Sequence, residues 1–219
     1  MTEIEIGTAI VSYIEPTPGY AREFNRWYER DHFPATVLAG PGVFAGARFV
    51  ANHACKAMRP PSGTLFGDPT RGSYLAVAWV LPGKQREWDA WVACEMDTIV
   101  AQDRLFPHRE HVHTAVYRFV AASGEVPAIV ALDRGFPGLI AVADERAAPQ
   151  LDLAVSVSFE HERTILSSAD PPRHQLVIGF AADDPRTAFG RSNQELARCG
   201  FASPFLATIP GTDSYTEEL

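Results

Sequence analysis

Phe24-Asn25-Arg26-Trp27-Tyr28-Glu29-Arg30-Asp31-His32-Phe33-Pro34 reads as the end of an aromatic amphipathic helix. Tyr20, Phe24, Trp27, Tyr28 and Asp31 fall near i, i+4, i+7, i+8 and i+11, which is one helical face. His32 follows Tyr28 by one helical turn and borders that face. A titratable imidazole is thereby carried towards an aromatic, half-buried surface. Pro34 disfavours helix at Phe33, so the helix is expected to break there. A base held at a helix end beside aromatic walls is a candidate reaction site.

Working outward, Glu3–Ile14 alternates as a strand, with Ile4, Ile6, Thr8 and Ile10 on one face. Pro16, Pro18 and Gly19 make a turn into a helix over Tyr20–His32. After the turn Gly40-Pro41-Gly42, Val43–Ala51 reads as strand. The stretch Asn52–Gly72, rich in Pro and Gly, is expected to be a long loop. Ser73–Leu81 is a strand, Lys84–Leu105 a long helix and His111–Val120 a strand. The order is β-α-β-β-α-β, the split βαβ arrangement.

The second half reads as a shortened copy. Ala128–Leu132 is expected as a strand and Phe136–Ala148 as a short, poor helix. Leu151–Phe159 and His174–Ala181 read as strands. Asp183-Asp184-Pro185 caps a helix over Pro185–Cys199, which Gly200 stops. Phe201–Ile209 closes the set as a strand, and the tail Gly211–Leu219 is expected to be loose. The expected fold is α+β: tandem ferredoxin-like repeats over residues 1–122 and 123–219, joined near Ala121–Pro127. A four-stranded sheet with helices on one face must bury its other face too. Two such sheets within one chain can cover each other as an eight-stranded barrel.

The segment Phe24–Tyr28 with Asp31-His32-Phe33-Pro34, the turn Gly40-Pro41-Gly42-Val43 and the strand Ala47-Arg48-Phe49-Val50 resemble the dimeric α/β-barrel superfamily, in particular its EthD-like members. The likeness runs over Ile4–Val120 and extends to Ala128–Ile209 by element order alone. The second half has no W-Y-x-x-x-H-x-P segment, so one site per chain is expected. The resemblance implies a barrel with a cavity. Members include isomerases, polyketide cyclases, cofactor-free monooxygenases, dehydratases and haem-using enzymes, so function must be argued from the site.

Composition narrows the partners. The formal charge of −8 argues against a nucleic-acid surface and against anionic membranes. No apolar run is long enough to span a bilayer and no leader pattern is seen, so a cytoplasmic protein is expected. The three cysteines are scattered and form neither a disulfide framework nor a zinc motif. A small-molecule substrate is the expected partner, with homodimerisation allowed.

His32 is the candidate general base or acid, with Asp31 to orient it and Tyr28 as a hydrogen-bond donor to a developing oxyanion. A histidine that merely caps the helix or bonds a turn carbonyl is the competing reading. Tyr13, Trp27, Arg48, His113 and Tyr117 are candidate substrate contacts. His113 and Tyr117 share one face of their strand and join the site if that face looks inward. His108-Arg109-Glu110-His111-Val112-His113 carries three histidines. His111 and His113 would share a strand face, a workable ligand spacing, but no supporting acid or Cys pair is evident and no metal is assigned. The long loop, with His53, Lys56, Arg59, Phe66 and Arg71, is a lid supplying a cation, a solvated insertion or a subunit contact. The expected activity is cofactor-independent acid/base chemistry on a hydrophobic carbonyl-containing or aromatic molecule, of isomerase, cyclase, dehydratase or lyase type. Alternatives are a cofactor-free or haem-dependent monooxygenase and a non-catalytic ligand-binding or stress-related barrel.

Overall fold

The computed structural model describes residues 4–219. Eight antiparallel strands close into a barrel in the order β1-β3-β2-β8-β5-β7-β6-β4. They are β1 (Thr8–Pro16), β2 (Val43–Val50), β3 (Tyr74–Val80), β4 (Arg109–Gly124), β5 (Gly138–Asp144), β6 (Val155–Ser167), β7 (Gln175–Ala181) and β8 (Phe201–Ala207). The helices are α1 (Ala21–Trp27), α2 (His53–Lys56), α3 (Gln85–Ala101), α4 (Pro185–Arg191) and α5 (Asn193–Leu196), with a π-helix over Tyr28–Leu38. The architecture is α+β. Closure leaves no free sheet edge to template aggregation. Among the described residues no helix is long and apolar enough to cross a membrane.

Strand alternation sorts the residues into two layers. On β1, Ala9, Val11 and Tyr13 face the barrel interior, where Trp79, Tyr117, Phe159, Phe180 and Phe205 fill the core. Ala9 sits between Trp79 and Tyr117 in register, a small residue beside two large ones. On the other face Ile10, Ala78 and Val80 pack against Trp88 of α3. The opposite half carries its own outer layer, in which Ile140, Val142 and Val177 meet Ala188, Phe189 and Leu196.

Several expectations need correction. Pro34 does not break the helix. The chain widens into the π-helix, with the Ala39 amide donating to the Pro34 carbonyl five residues back at 3.0 Å. The Thr36 hydroxyl donates to the His32 carbonyl at 2.5 Å. Wider turns and side-chain donors of this kind are how a helix accommodates a missing amide. Ala128–Val130 is a short 3-10 turn, and the strand falls instead at Gly138–Asp144, inside the segment expected as helix. Leu139–Ala143 is an unbroken apolar run buried on both faces, where periodicity cannot tell strand from helix. Gly138 is required there, because a Cβ would stand 2.1 Å from the Phe205 carbonyl oxygen.

The strand expected at Leu151–Phe159 starts at Val155 and runs on to Ser167. The helix expected over Pro185–Cys199 divides at Ser192, although Asp184 does cap it, accepting from the Arg186 amide at 2.9 Å. The tail is docked rather than loose. Asn25 Nδ2 donates to the Thr212 carbonyl at 2.9 Å, Arg26 pairs with Asp213, and the His53 amide donates to the Glu218 carbonyl at 2.8 Å.

Candidate functional site

A cleft of about 410 Å³ opens between the outer face of the sheet, the π-helix and α3. Ile10 and Ser12 of β1 and Thr114 of β4 form its floor. Val37, Trp88, Val92 and Met96 give it apolar walls, and Arg163–Leu166 of β6 reaches over it from the second half of the chain. Its volume lies in the usual range for small-molecule sites.

The π-helix sets the polar end. Tyr28 and His32 both line the cleft, and His32 is only 9 % exposed. Its ring stacks on Trp27 at 4.6 Å, and Trp27 is itself fixed by its indole N–H donating to the Arg104 carbonyl at 2.8 Å. His32 Nδ1 is enclosed without a hydrogen-bond partner. Burial holds His32 down to about 3, with the charges of Arg109 and His111 adding to the effect. His111 is held down to about 4 by burial and by Arg109. Both imidazoles are therefore neutral at neutral pH. Burial pushes the Tyr28 phenol up to about 12, so it is a hydroxyl donor.

The expected site residues divide between two places. Tyr28 and His32 line the cleft, and Trp27 stacks on His32 without lining it. Asp31 is turned away from His32 and held by Arg104, whose Nε donates to Oδ2 at 3.1 Å. That bond keeps the Asp31 carboxyl below its ordinary range. Arg48 lies behind Tyr28, its guanidinium 5.0 Å from that ring and 5.7 Å from the Tyr74 ring, and its Nη2 donates to Asn25 Oδ1 at 2.9 Å. It ties helix to sheet.

Tyr13, His113 and Tyr117 sit inside the barrel, on the far side of the sheet. There the Tyr117 hydroxyl lies between His113 Nε2 at 2.9 Å and His174 Nε2 at 2.8 Å. His174 Nδ1 donates to the Pro172 carbonyl at 2.8 Å, so its Nε2 accepts from Tyr117. His161 stacks on His174 at 4.6 Å.

His111 and His113 do not share a face. A bulge opposite Tyr13/Ile14 pairs Ile14 with His111 and Tyr13 with His113, which sends His111 outwards and His113 inwards. Among the described residues no group of three His, Cys, Asp or Glu could hold a metal ion.

The long loop is neither a lid over this cleft nor a solvated insertion. It plugs one end of the barrel. Phe66 stacks on His113 at 4.5 Å. Arg59 is buried with Nε donating to Ser203 Oγ at 2.9 Å, Nη1 to the Pro69 carbonyl at 2.8 Å and Nη2 to the Gly72 carbonyl at 2.8 Å.

Sequence reasoning missed Arg109 as a contact and noticed His111 only as a metal candidate. The two residues alternate at i and i+2, which places both on the cleft side of β4. That spacing was readable; the bulge after it was not. Comparison with known proteins finds no family model and no curated protein that matches this chain.

Proposed function

We propose that this chain binds a hydrophobic, carbonyl-containing or aromatic small molecule in the cleft and moves a proton on it through His32. The observation that carries the reading is the placement of His32 at the polar end of an apolar cleft, beside Tyr28, Arg109 and His111. In this reading His32 exchanges the proton, and the Tyr28 hydroxyl faces the oxygen where negative charge develops. Isomerisation, cyclisation, dehydration and lyase-type cleavage all use such a step.

The same proposal reads the chain as tandem ferredoxin-like units forming an intramolecular barrel. Support comes from the strand order: β4-β1-β3-β2 in the first half has its counterpart, strand for strand, in β8-β5-β7-β6, with β2 meeting β8 and β4 meeting β6 at the two seams. In the second half residues 145–154 lie between β5 and β6, where a first helix would stand.

A second reading, a non-catalytic binding barrel, is favoured by one observation. No carboxylate orients His32, since Asp31 is bonded to Arg104. One experiment separates the two. Deuterium incorporation next to the carbonyl of aryl ketones and lactones is followed by NMR in heavy water. The catalytic reading expects His32→Ala to slow exchange by roughly a hundredfold or more, the usual scale of a general base. Exchange undiminished in His32→Ala removes the catalytic role and leaves the binding one.

A further inference from the structure

We propose that the occupant of the cleft is a hydrophobic monoanion, an aryl or alicyclic carboxylate, and that Arg109 holds its carboxylate. The proposal rests on the cleft being a ligand site and names the chemistry of what fills it.

Arg109 stands at the start of β4 with its guanidinium 4.8 Å from the Trp27 ring centroid. Its Nη1 donates to the Phe106 carbonyl. Nε is buried with no acceptor, and Nη2 makes no hydrogen bond among the described residues. The acids around it are committed elsewhere: Asp31 to Arg104, Glu110 to Arg71 and Asp89 to Arg163. Buried Arg59 also lacks a carboxylate, but carbonyls and a hydroxyl engage all three of its nitrogens, whereas among the described residues only Nη1 of half-buried Arg109 is engaged. Holding a cation away from water without a counter-charge is costly, and an arriving carboxylate offsets that cost. Nη2 is the unengaged nitrogen left for a ligand; Nε is enclosed, and a carboxylate that bonds Nη2 completes two parallel hydrogen bonds only by shifting what covers Nε.

The rest of the cleft fixes the other half of the ligand. Ile10, Val37, Trp88, Val92, Met96 and Leu166 surround the space beyond Arg109. Arg163 also borders the cleft, but Asp89 neutralises it. One unpaired cation facing an apolar chamber suits one negative charge on an apolar body. A phosphate ester, with two charges, would lack a second cation.

The test uses calorimetry on the full chain with 2-naphthoate and its neutral isostere 2-naphthamide. The expected result is naphthoate binding at least about tenfold tighter than the amide, the scale of one charge-assisted hydrogen-bonded pair. Arg109→Gln should bring that ratio to about one, by weakening naphthoate far more than the amide. Arg109→Lys keeps the charge but loses the planar fork, so it should weaken naphthoate several-fold. Arg163→Gln should leave the ratio as it is. Equal binding of the two probes by the wild type overturns the proposal, as does a ratio that survives Arg109→Gln or an unchanged naphthoate affinity in Arg109→Lys. Binding of neither probe overturns both this proposal and the ligand-site reading beneath it. His32→Ala should preserve the ratio, so loss of proton exchange in that variant is distinguishable from loss of the anion preference.

Discussion

Tyr28 and Tyr117 are both buried tyrosines beside histidines, and β4 separates their surroundings. Tyr117 has an imidazole nitrogen on each side of its hydroxyl, at 2.9 and 2.8 Å. The Tyr28 hydroxyl has no partner among the described residues, and neither does Nδ1 of the adjacent His32. The interior group is joined through the Tyr117 hydroxyl with aromatic rings packed against it, although the Tyr13 hydroxyl and His161 Nδ1 beside it have no partner. In the outer group Tyr28 and His32 line the cleft, while His32 Nδ1 itself is enclosed. A satisfied buried network stabilises a unique fold, whereas unsatisfied donors around a cavity leave interactions for a ligand to make. Two regions with similar residue types thus have different uses.

The largest expected effect breaks the interior network. Tyr117→Phe strands two buried imidazole nitrogens at once and should cost about 2–4 kcal/mol of folding stability. Urea unfolding at neutral pH measures it. Tyr28→Phe removes a hydroxyl that bonds to nothing in the protein and should cost less than about 1 kcal/mol. Equal losses in the two variants would mean that the cleft is as much a structural element as the barrel interior.

Acid should act on both regions in the same direction. The unfolded-state reference for each histidine is 6.5, while burial holds His113 to about 3, His174 to about 4, His32 to about 3 and His111 to about 4. Between those values and 6.5 the unfolded chain binds more protons than the folded one, so stability rises with pH across that window. The histidine contribution is complete above about pH 6.5 and is lost progressively as pH falls towards 3–4. His111→Gln should flatten part of that slope, read from urea unfolding at pH 7 and pH 5. Filling the cleft with 2-naphthoate should flatten it too, since a bound carboxylate masks the Arg109 charge and binding shifts the folding equilibrium. A slope unaffected by either change would assign the whole acid sensitivity to the interior histidines.

The first half of the fold was largely legible because its strands and helices carry clean periodicities and its turns carry Gly and Pro. Gly40-Pro41-Gly42 and Pro82-Gly83 bound β2 and α3 as their chemistry requires. The second half was harder for a physical reason. In a closed barrel covered outside, β5 is buried on both faces, and its Leu139–Ala143 run has no alternation to read. The candidate site was half legible. Trp27, Tyr28 and His32 came from one helical repeat. The parting of His111 from His113 depended on a bulge, and Arg163 arrives from a strand far away in sequence across the barrel seam. Such placements follow from closure of the whole sheet and leave no local pattern.

The smallest effect concerns that last residue. Arg163 pairs with Asp89 and joins β6 to α3 where both border the cleft. The two side chains are 40 % and 34 % exposed, so solvent screens the pair. Asp89→Asn should therefore change folding stability by less than about 1 kcal/mol. Its consequence should appear in ligand kinetics instead. With the pair cut, β6 loses one of its attachments across the cleft, and 2-naphthoate should leave faster. Its entry should change less, because affinity differences within one site fall mainly on dissociation. The Asp89→Asn change also releases the Arg163 cation beside the cleft, which would slow departure of an anion. Stopped-flow dissociation measured at low and high salt separates the two contributions. Screening removes the charge effect and leaves the mechanical one, so faster release that persists at high salt marks the pair as a fastening between the two halves of the chain.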